Sequence, residues 1–175
     1  MTKPSPDNPQ PQPRIRGFEA ALPIALLRAR AATAHKFKPH TDGEGLSQPQ
    51  WRVLRALAAG EPLDSKTLAH RCALLQPSLS RIFRSLLGRG LIEAHPTDDY
   101  RSRFMKLTPA GQAVFDRVAV ISEAVYRDIE NAYGRDELTD LLEKLNRLCA
   151  VCEALPDLPI EMPRTKSTPA DEQQR

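Results

Sequence analysis

The chain has 175 residues, 25 Lys and Arg against 22 Asp and Glu, a net charge of +3 and a mean hydropathy of −0.45. That length suits one domain with tails, and no apolar run approaches the roughly 18–20 residues of a membrane span. The opening MTKPSPDNPQPQP lacks the apolar stretch of a secretion signal, and three cysteines, an odd count, fit a reducing compartment better than a disulfide scaffold. A cytoplasmic location with no membrane partner is expected.

Charge is unevenly placed. Residues 1–55 hold nine Lys/Arg against four Asp/Glu, and residues 71–106 hold seven against three. Residues 116–161 reverse this, with five against eleven. One region can face a polyanion while another must stay away from it.

In chain order, five prolines in residues 1–13 predict a disordered arm over 1–15. A first helix is expected from Phe18 to Lys38, stopped by Pro39, with TDGEG as a loop. Ser47 caps a second helix through WRVLRALAA, with Pro49 and Gln50 in its first turn and Gly60 at its end. The segment EPL suggests a short strand. Asp64 caps a third helix, SKTLAHRC, and Ala73–Leu75 is a turn. A fourth helix runs from Gln76 or Pro77 to Arg89 and ends at Gly90. LIEAHP and SRFMKLT predict two strands around the polar turn TDDYR. Thr108 and Pro109 start a helix reaching Tyr133, and Gly134 separates it from a last helix near Arg135–Glu153. Four prolines in residues 156–175 mark a second disordered tail. The folded part is expected over 16–155.

The fourth helix carries the chemistry. Leu79, Ile82, Phe83, Leu86 and Leu87 recur at helical spacing and form one apolar stripe, expected to be buried. The opposite face carries Gln76, Ser78, Ser80, Arg81, Arg84 and Ser85, and no carboxylate before Glu93. Helix, three-residue turn, helix and hairpin together describe a winged helix-turn-helix, a mostly α fold with a small β-wing. The second helix of that motif enters the major groove. Gln76 can pair with adenine, the arginines with guanine or phosphate, and the serines with either. In the wing, Asp99 can brace the turn, Arg101 can reach the minor groove, and Arg103 and Lys106 can reach phosphates.

The stretch LAHRCALLQPSLSRIFRSLLGRGLIEAHPTDDYRSRFMKLTPAG resembles the DNA-binding half of the MarR family. Asp99 and Arg101 match that family's Asp-x-Arg wing motif, and Leu107, Thr108 and Gly111 match its Leu-Thr-x-x-Gly. The similarity extends over roughly residues 18–150. ALLRARAATAHKFKP followed by LSQPQWRVLRAL is similar to the homoprotocatechuate-repressor branch, near which lie repressors of hydroxynicotinate catabolism, some tied to biofilm genes. The resemblance implies a homodimer that leaves DNA on binding a small aromatic acid. One departure is the start of the recognition helix, which has Leu75 or Gln76 where the family often has Ser or Thr.

The dimer also follows from pattern. The helices at 108–133 and 135–153 are apolar on more than one face, more than one small domain easily buries; paired with the first helix, near 18–38, of a partner chain they are expected to form a dimerisation lobe beside a winged helix at about 47–107. Two-fold pairing would place two recognition helices about 34–36 Å apart and predict a palindromic operator. For an aromatic carboxylate effector, arginine supplies a two-toothed partner and tryptophan a flat wall. Arg28, Arg30, His35, Trp51, Arg52 and Arg55 are the available groups, and Arg30, His35, Trp51 and Arg52 are the chosen four. Arg30 and Trp51 also match the branch's pattern.

Other readings have less support. No Gly-rich nucleotide loop or nucleophile–base pair supports an enzyme, and no cofactor or metal is expected. Cys149 and Cys152 lie on the leucine seam of the last helix, near its C-terminus, where the dipole opposes a thiolate. They are expected in the core, as is Cys72; a redox gate through Cys149 and Cys152 is the alternative. A winged helix used for protein contacts would bind DNA weakly and without salt dependence.

Overall fold

A computed structural model describes residues 16–96 and 104–157. The expected N-terminal arm, the wing tip with Asp99, Arg101 and Arg103, and the C-terminal tail lie outside the described residues. The chain divides into two compact units, Met1–Ile129 and Glu130–Arg175.

The first unit opens with a 3-10 turn, Phe18–Ala20, and helix α1, Leu22–Gly43. Pro39 lies inside α1 and does not stop it. A proline costs a helix one hydrogen bond and some crowding, and contacts beyond the helix outweigh that here. Thr41 is buried, donates its hydroxyl to the Lys38 carbonyl at 2.9 Å and accepts from Gln48 Nε2 at 3.0 Å. Lys38 also pairs with Asp42 one turn on. The helix is closed by Gly45, at φ +62°, with the Leu46 amide donating to the Thr41 carbonyl at 2.9 Å.

Helix α2, Gln48–Leu57, starts at the expected cap. The Ser47 amide donates to Gln50 Oε1 at 2.8 Å and the Gln50 amide to Ser47 Oγ at 3.4 Å, a reciprocal capping box. It ends at Leu57, short of the expected Gly60, which sits in the following turn at φ +94°. Strand β1 is Leu63–Asp64, overlapping the expected EPL segment only at Leu63. Helix α3, Ser65–Arg71, takes Asp64 as its cap, and helix α4 is Gln76–Gly88. Strands β2, Ile92–His95, and β3, Phe104–Leu107, form the wing's stem. The expected hairpin is part of a three-stranded antiparallel sheet in the order β1-β3-β2, because Leu63 pairs with Met105. Glu93 faces Lys106 across β2 and β3, and the two make an ion pair at 3.1 Å.

Helix α5, Pro109–Tyr133, begins where the sequence placed it. The Thr108 hydroxyl donates to the Gly90 carbonyl at 2.6 Å and accepts from the Gly111 amide at 3.0 Å. A Cβ on Gly111 would lie 1.9 Å from the Leu91 carbonyl oxygen, so this turn of α5 can press against β2 only as glycine. That contact is the physical content of the Leu-Thr-x-x-Gly motif. The core beneath gathers Leu54, Leu68, Leu79, Leu86, Ile92 and Met105, none more than 2% exposed.

The second unit holds the end of α5 and helix α6, Arg135–Ala154, separated by Gly134 at φ +101°. Glu130 pairs with Arg135 at 2.9 Å. No residue of α6 is buried in this chain, and Cys149 and Cys152 are exposed, not core. They share the face of leucines that are themselves half-exposed or exposed, so among the described residues nothing covers that seam. Cys72 is buried as expected, and burial pushes its thiol above the ordinary range. Among the described residues, no helix is long and apolar enough to cross a membrane.

Candidate DNA interface and effector site

Helix α4 sorts its side chains by period. Leu79, Ile82, Phe83 and Leu86 are buried, while Gln76, Ser78, Ser80, Arg81 and Arg84 are all exposed. Leu87, expected in the buried stripe, is exposed, because it follows Leu86 by one residue and so turns off the packed face. Arg81 and Arg84 make no ion pair among the described residues, so two guanidinium groups stand free on one solvated face. Leu75 is the N-cap and supplies no side-chain cap, so amides in the first turn lack the usual hydroxyl partner. Gln76 Nε2 donates weakly to the Ser65 carbonyl at 3.3 Å and Ser80 Oγ to the Gln76 carbonyl at 3.4 Å, bonds long enough to exchange for a ligand.

The rest of the domain fixes where this face points. Gln50, already half of the α2 cap, donates from Nε2 to Ser85 Oγ at 2.9 Å. At the far end, Arg89 Nη1 and Nη2 donate to the carbonyls of Gly45 and Glu44, at 2.9 and 2.8 Å. The Glu44 carboxylate takes Arg117 of α5 on two teeth, Nε at 2.7 Å and Nη2 at 2.9 Å. That hydrogen-bonded guanidinium holds the Glu44 carboxyl below its usual range.

The four residues expected to hold an effector sit in different surroundings. Trp51 is 6% exposed and stacks on Phe115 of α5, centroids 5.4 Å apart. Arg52 is committed elsewhere: its Nη1 donates to the Cys72 carbonyl at 2.7 Å, tying α2 to the end of α3. Arg30 is exposed on the α1 stripe that includes Ala34 and Phe37, seven residues on, and so shares Phe37's face. His35, two residues from Phe37, is exposed on the opposite side.

A tighter cluster lies beside Trp51, one turn along α2. Arg55 Nη1 donates to the Tyr126 hydroxyl at 3.0 Å, and its guanidinium lies 5.7 Å from the centre of the Tyr126 ring. Phe37 closes the group, its ring 4.9 Å from that of Tyr126. Helices α1, α2 and α5 thus bring together a guanidinium, a phenol hydroxyl and aromatic walls. Arg55 was visible in the sequence as one of several arginines. Tyr126, far along the chain, gave no signal there.

Residues 44–99 match the MarR family profile. The homoprotocatechuate degradative operon repressor of Escherichia coli is 34% identical over 132 residues, 75% of this chain and 89% of that protein. The chain belongs to the MarR family. This MarR-family protein is a transcriptional regulator that binds DNA through a winged helix, not an enzyme. A crystal structure of NadR in complex with 4-hydroxyphenylacetate superposes on it with a TM-score of 0.70 at 31% identity, covering 77% of this chain and 96% of that one. CouR bound to a 23-mer DNA duplex superposes with a TM-score of 0.67 at 26% identity, covering 75% and 94%. The organisation of this MarR-family chain follows from its parts. A free cationic helix face stands on one side of a packed core, and a cation–aromatic cluster stands where three helices meet.

Proposed function

We propose that this chain is a homodimeric repressor that holds a palindromic operator and leaves it when a small aromatic carboxylate binds. The observation that carries the DNA half is the α4 face: hydroxyls, an amide and two exposed arginines that make no ion pair among the described residues, without a carboxylate. Gln76, Ser78, Ser80, Arg81 and Arg84 are assigned to base edges and phosphates in the major groove. From the wing motif alone we add Arg101 and Arg103 as groove and phosphate contacts, and Asp99 as the brace of the turn.

The dimer rests on apolar surface that one chain leaves bare. Phe18, Leu27, Val120, Leu142 and Leu155 are each more than half exposed. Large apolar side chains left in water on long helices favour association. A second copy would cover them and set two α4 helices about one DNA turn apart.

For the effector, we assign Arg55 as the carboxylate's partner, with Trp51 and Tyr126 as ring walls and Arg30 and His35 as outer groups that a second copy could complete. Arg52, spent on a backbone carbonyl, serves better as a structural tie. The aromatic-acid class is supported by the relative that represses a homoprotocatechuate operon and by the neighbour that holds 4-hydroxyphenylacetate. Genes for breakdown of such acids are the expected targets.

The test is operator binding with and without phenolic and pyridine carboxylic acids. Arg84→Ala should cost about 1–3 kcal/mol of operator affinity and flatten the salt dependence. Arg55→Ala should keep operator affinity and blunt release by the acid. Unchanged DNA affinity in the first, or normal release in the second, removes that residue from its role.

A further inference from the structure

We propose that Glu44 is a positioning residue that couples α5 to the base of the DNA-reading helix, so that effector occupancy at α5 reaches α4 through the Glu44–Arg117 pair. The proposal rests on the effector reading above.

Glu44 serves two helices with two different parts of itself. Its carbonyl, with that of Gly45, receives both Nη groups of Arg89, the residue that caps α4. Its carboxylate receives Arg117 of α5. The turn that carries Glu44 is itself tied to the end of α1, with the Glu44 and Leu46 amides donating to the Thr41 carbonyl at 3.2 and 2.9 Å. A displacement of Arg117 therefore has a direct mechanical route to the end of α4.

Arg117 lies on the helix that would feel an effector. Phe115, two residues earlier, stacks on Trp51, and Tyr126, about two and a half turns later, holds Arg55. A ring and carboxylate entering among Trp51, Arg55 and Tyr126 must disturb contacts that seat α5 against α2. The pair itself adds little to folding, because Arg117's side chain is 56% exposed. It nonetheless joins three elements: the α1–α2 loop, α4 and α5. A contact of small stability value at such a junction fits control of geometry better than support of the fold.

The experiment uses the full chain, a duplex selected by the wild-type protein from a random-sequence library, and 4-hydroxyphenylacetate, benzoate and nicotinate as probes. The readout is the factor by which each acid lowers duplex affinity, beside acid affinity of the DNA-free protein by calorimetry and the melting temperature. Glu44→Gln and Arg117→Gln should bind acid within about twofold of wild type and melt within about 3 °C of it. Their release factor should fall at least fivefold or to near one, a loss within the usual span of allosteric coupling. The double variant should lose no more than either single one, because both remove the same link. Arg117→Lys keeps the charge but not the second tooth and should fall between, which tests the link even if the glutamine variants unfold.

Single variants that release DNA by the wild-type factor overturn the proposal, as does a double variant whose loss is the sum of the two. A lysine variant equal to wild type overturns it as well. If no acid changes the affinity of the wild type, the effector reading fails and takes this proposal with it. If the wild type responds and the variants respond equally, only the coupling fails.

Discussion

The region from Leu46 to Leu107 and the helix α6 obey different rules of burial. In the first, leucines spaced on α2, α3 and α4 meet strand residues in one core, and Val53, Leu54, Leu68, Leu86 and Met105 have no exposed surface. In the second, 20 residues form a helix with none buried, although leucines recur along one seam. Helix α1 resembles α6: of its 22 residues only Thr41 is buried. Helices in water gain most of their stability by packing an apolar face, so a long helix with a bare one is incomplete as it stands. The winged helix packs a core within one chain, completed by Val114 and Val118 of α5. The outer helices have sequences written for a surface that one chain does not supply.

The largest expected effect separates the two regions directly. Leu86→Ala should remove about 2–5 kcal/mol, a large share of a typical domain's stability, at every protein concentration. Leu142, 53% exposed, should behave differently. In a lone chain, Leu142→Asp would be worth within about 0.5 kcal/mol. In the proposed dimer it buries an unpaired charge in the interface, so it should shift the assembly toward single chains and make the melting temperature depend on concentration. Sedimentation equilibrium with melting curves at two concentrations decides this. If Leu142→Asp stays as associated as the wild type, α6 is not a pairing surface.

A second test strikes the junction between the self-sufficient core and the long helix leaving it. Gly111→Ala puts a methyl group 1.9 Å from the Leu91 carbonyl oxygen, and neither backbone can yield freely. Overpacking of this kind costs about 1–3 kcal/mol. Thr108→Ala should cost less, since it removes the hydroxyl's two bonds and leaves the shape intact. Denaturant unfolding in which Gly111→Ala proves as stable as wild type would show that α5 is not pressed on β2.

What the sequence made legible was mostly local. Ser47, Asp64, and Thr108 with Pro109 each announce a helix start, and each stands where expected. The apolar stripe of α4 and its wet face were equally readable, because helical period alone sorts them. Errors arose where distant contacts decide. Pro39 looked like a stop because the bonds that carry α1 past it come from Gln48 and Leu46. Strand β1 was misplaced because two residues show no alternation and pair with a strand some forty residues away. Arg52 and Arg55 are one helical turn apart on α2, and period does not say which one is spent on the Cys72 carbonyl and which meets Tyr126. The seam cysteines read as core because a leucine-rich face implies cover, and the described residues supply none.

The smallest effect sharpens the comparison from inside the core region. Asp64 Oδ1 accepts from the amides of Lys66 and Thr67 at 2.8 and 2.9 Å, and Oδ2 accepts from the Thr67 hydroxyl at 2.6 Å. The Thr67 hydroxyl and these amides hold the Asp64 carboxyl below its usual range. A carboxylate depressed in the folded state stabilises it fully above the unfolded pKa, about 3.9, and loses that contribution as pH falls through the folded value. Asp64→Ala should therefore cost about 1 kcal/mol at neutral pH. The gap to wild type should narrow below about pH 4. Asp64→Asn can keep the two amide bonds and turn its own amide to the Thr67 hydroxyl, so it should retain most of the cap while losing the pH dependence. Because this cap belongs to a region that folds on its own contacts, both shifts should be the same at low and high protein concentration. A cap effect that grew on dilution would mean that α3 depends on association, and that the division between self-packed and partner-packed helices is drawn in the wrong place.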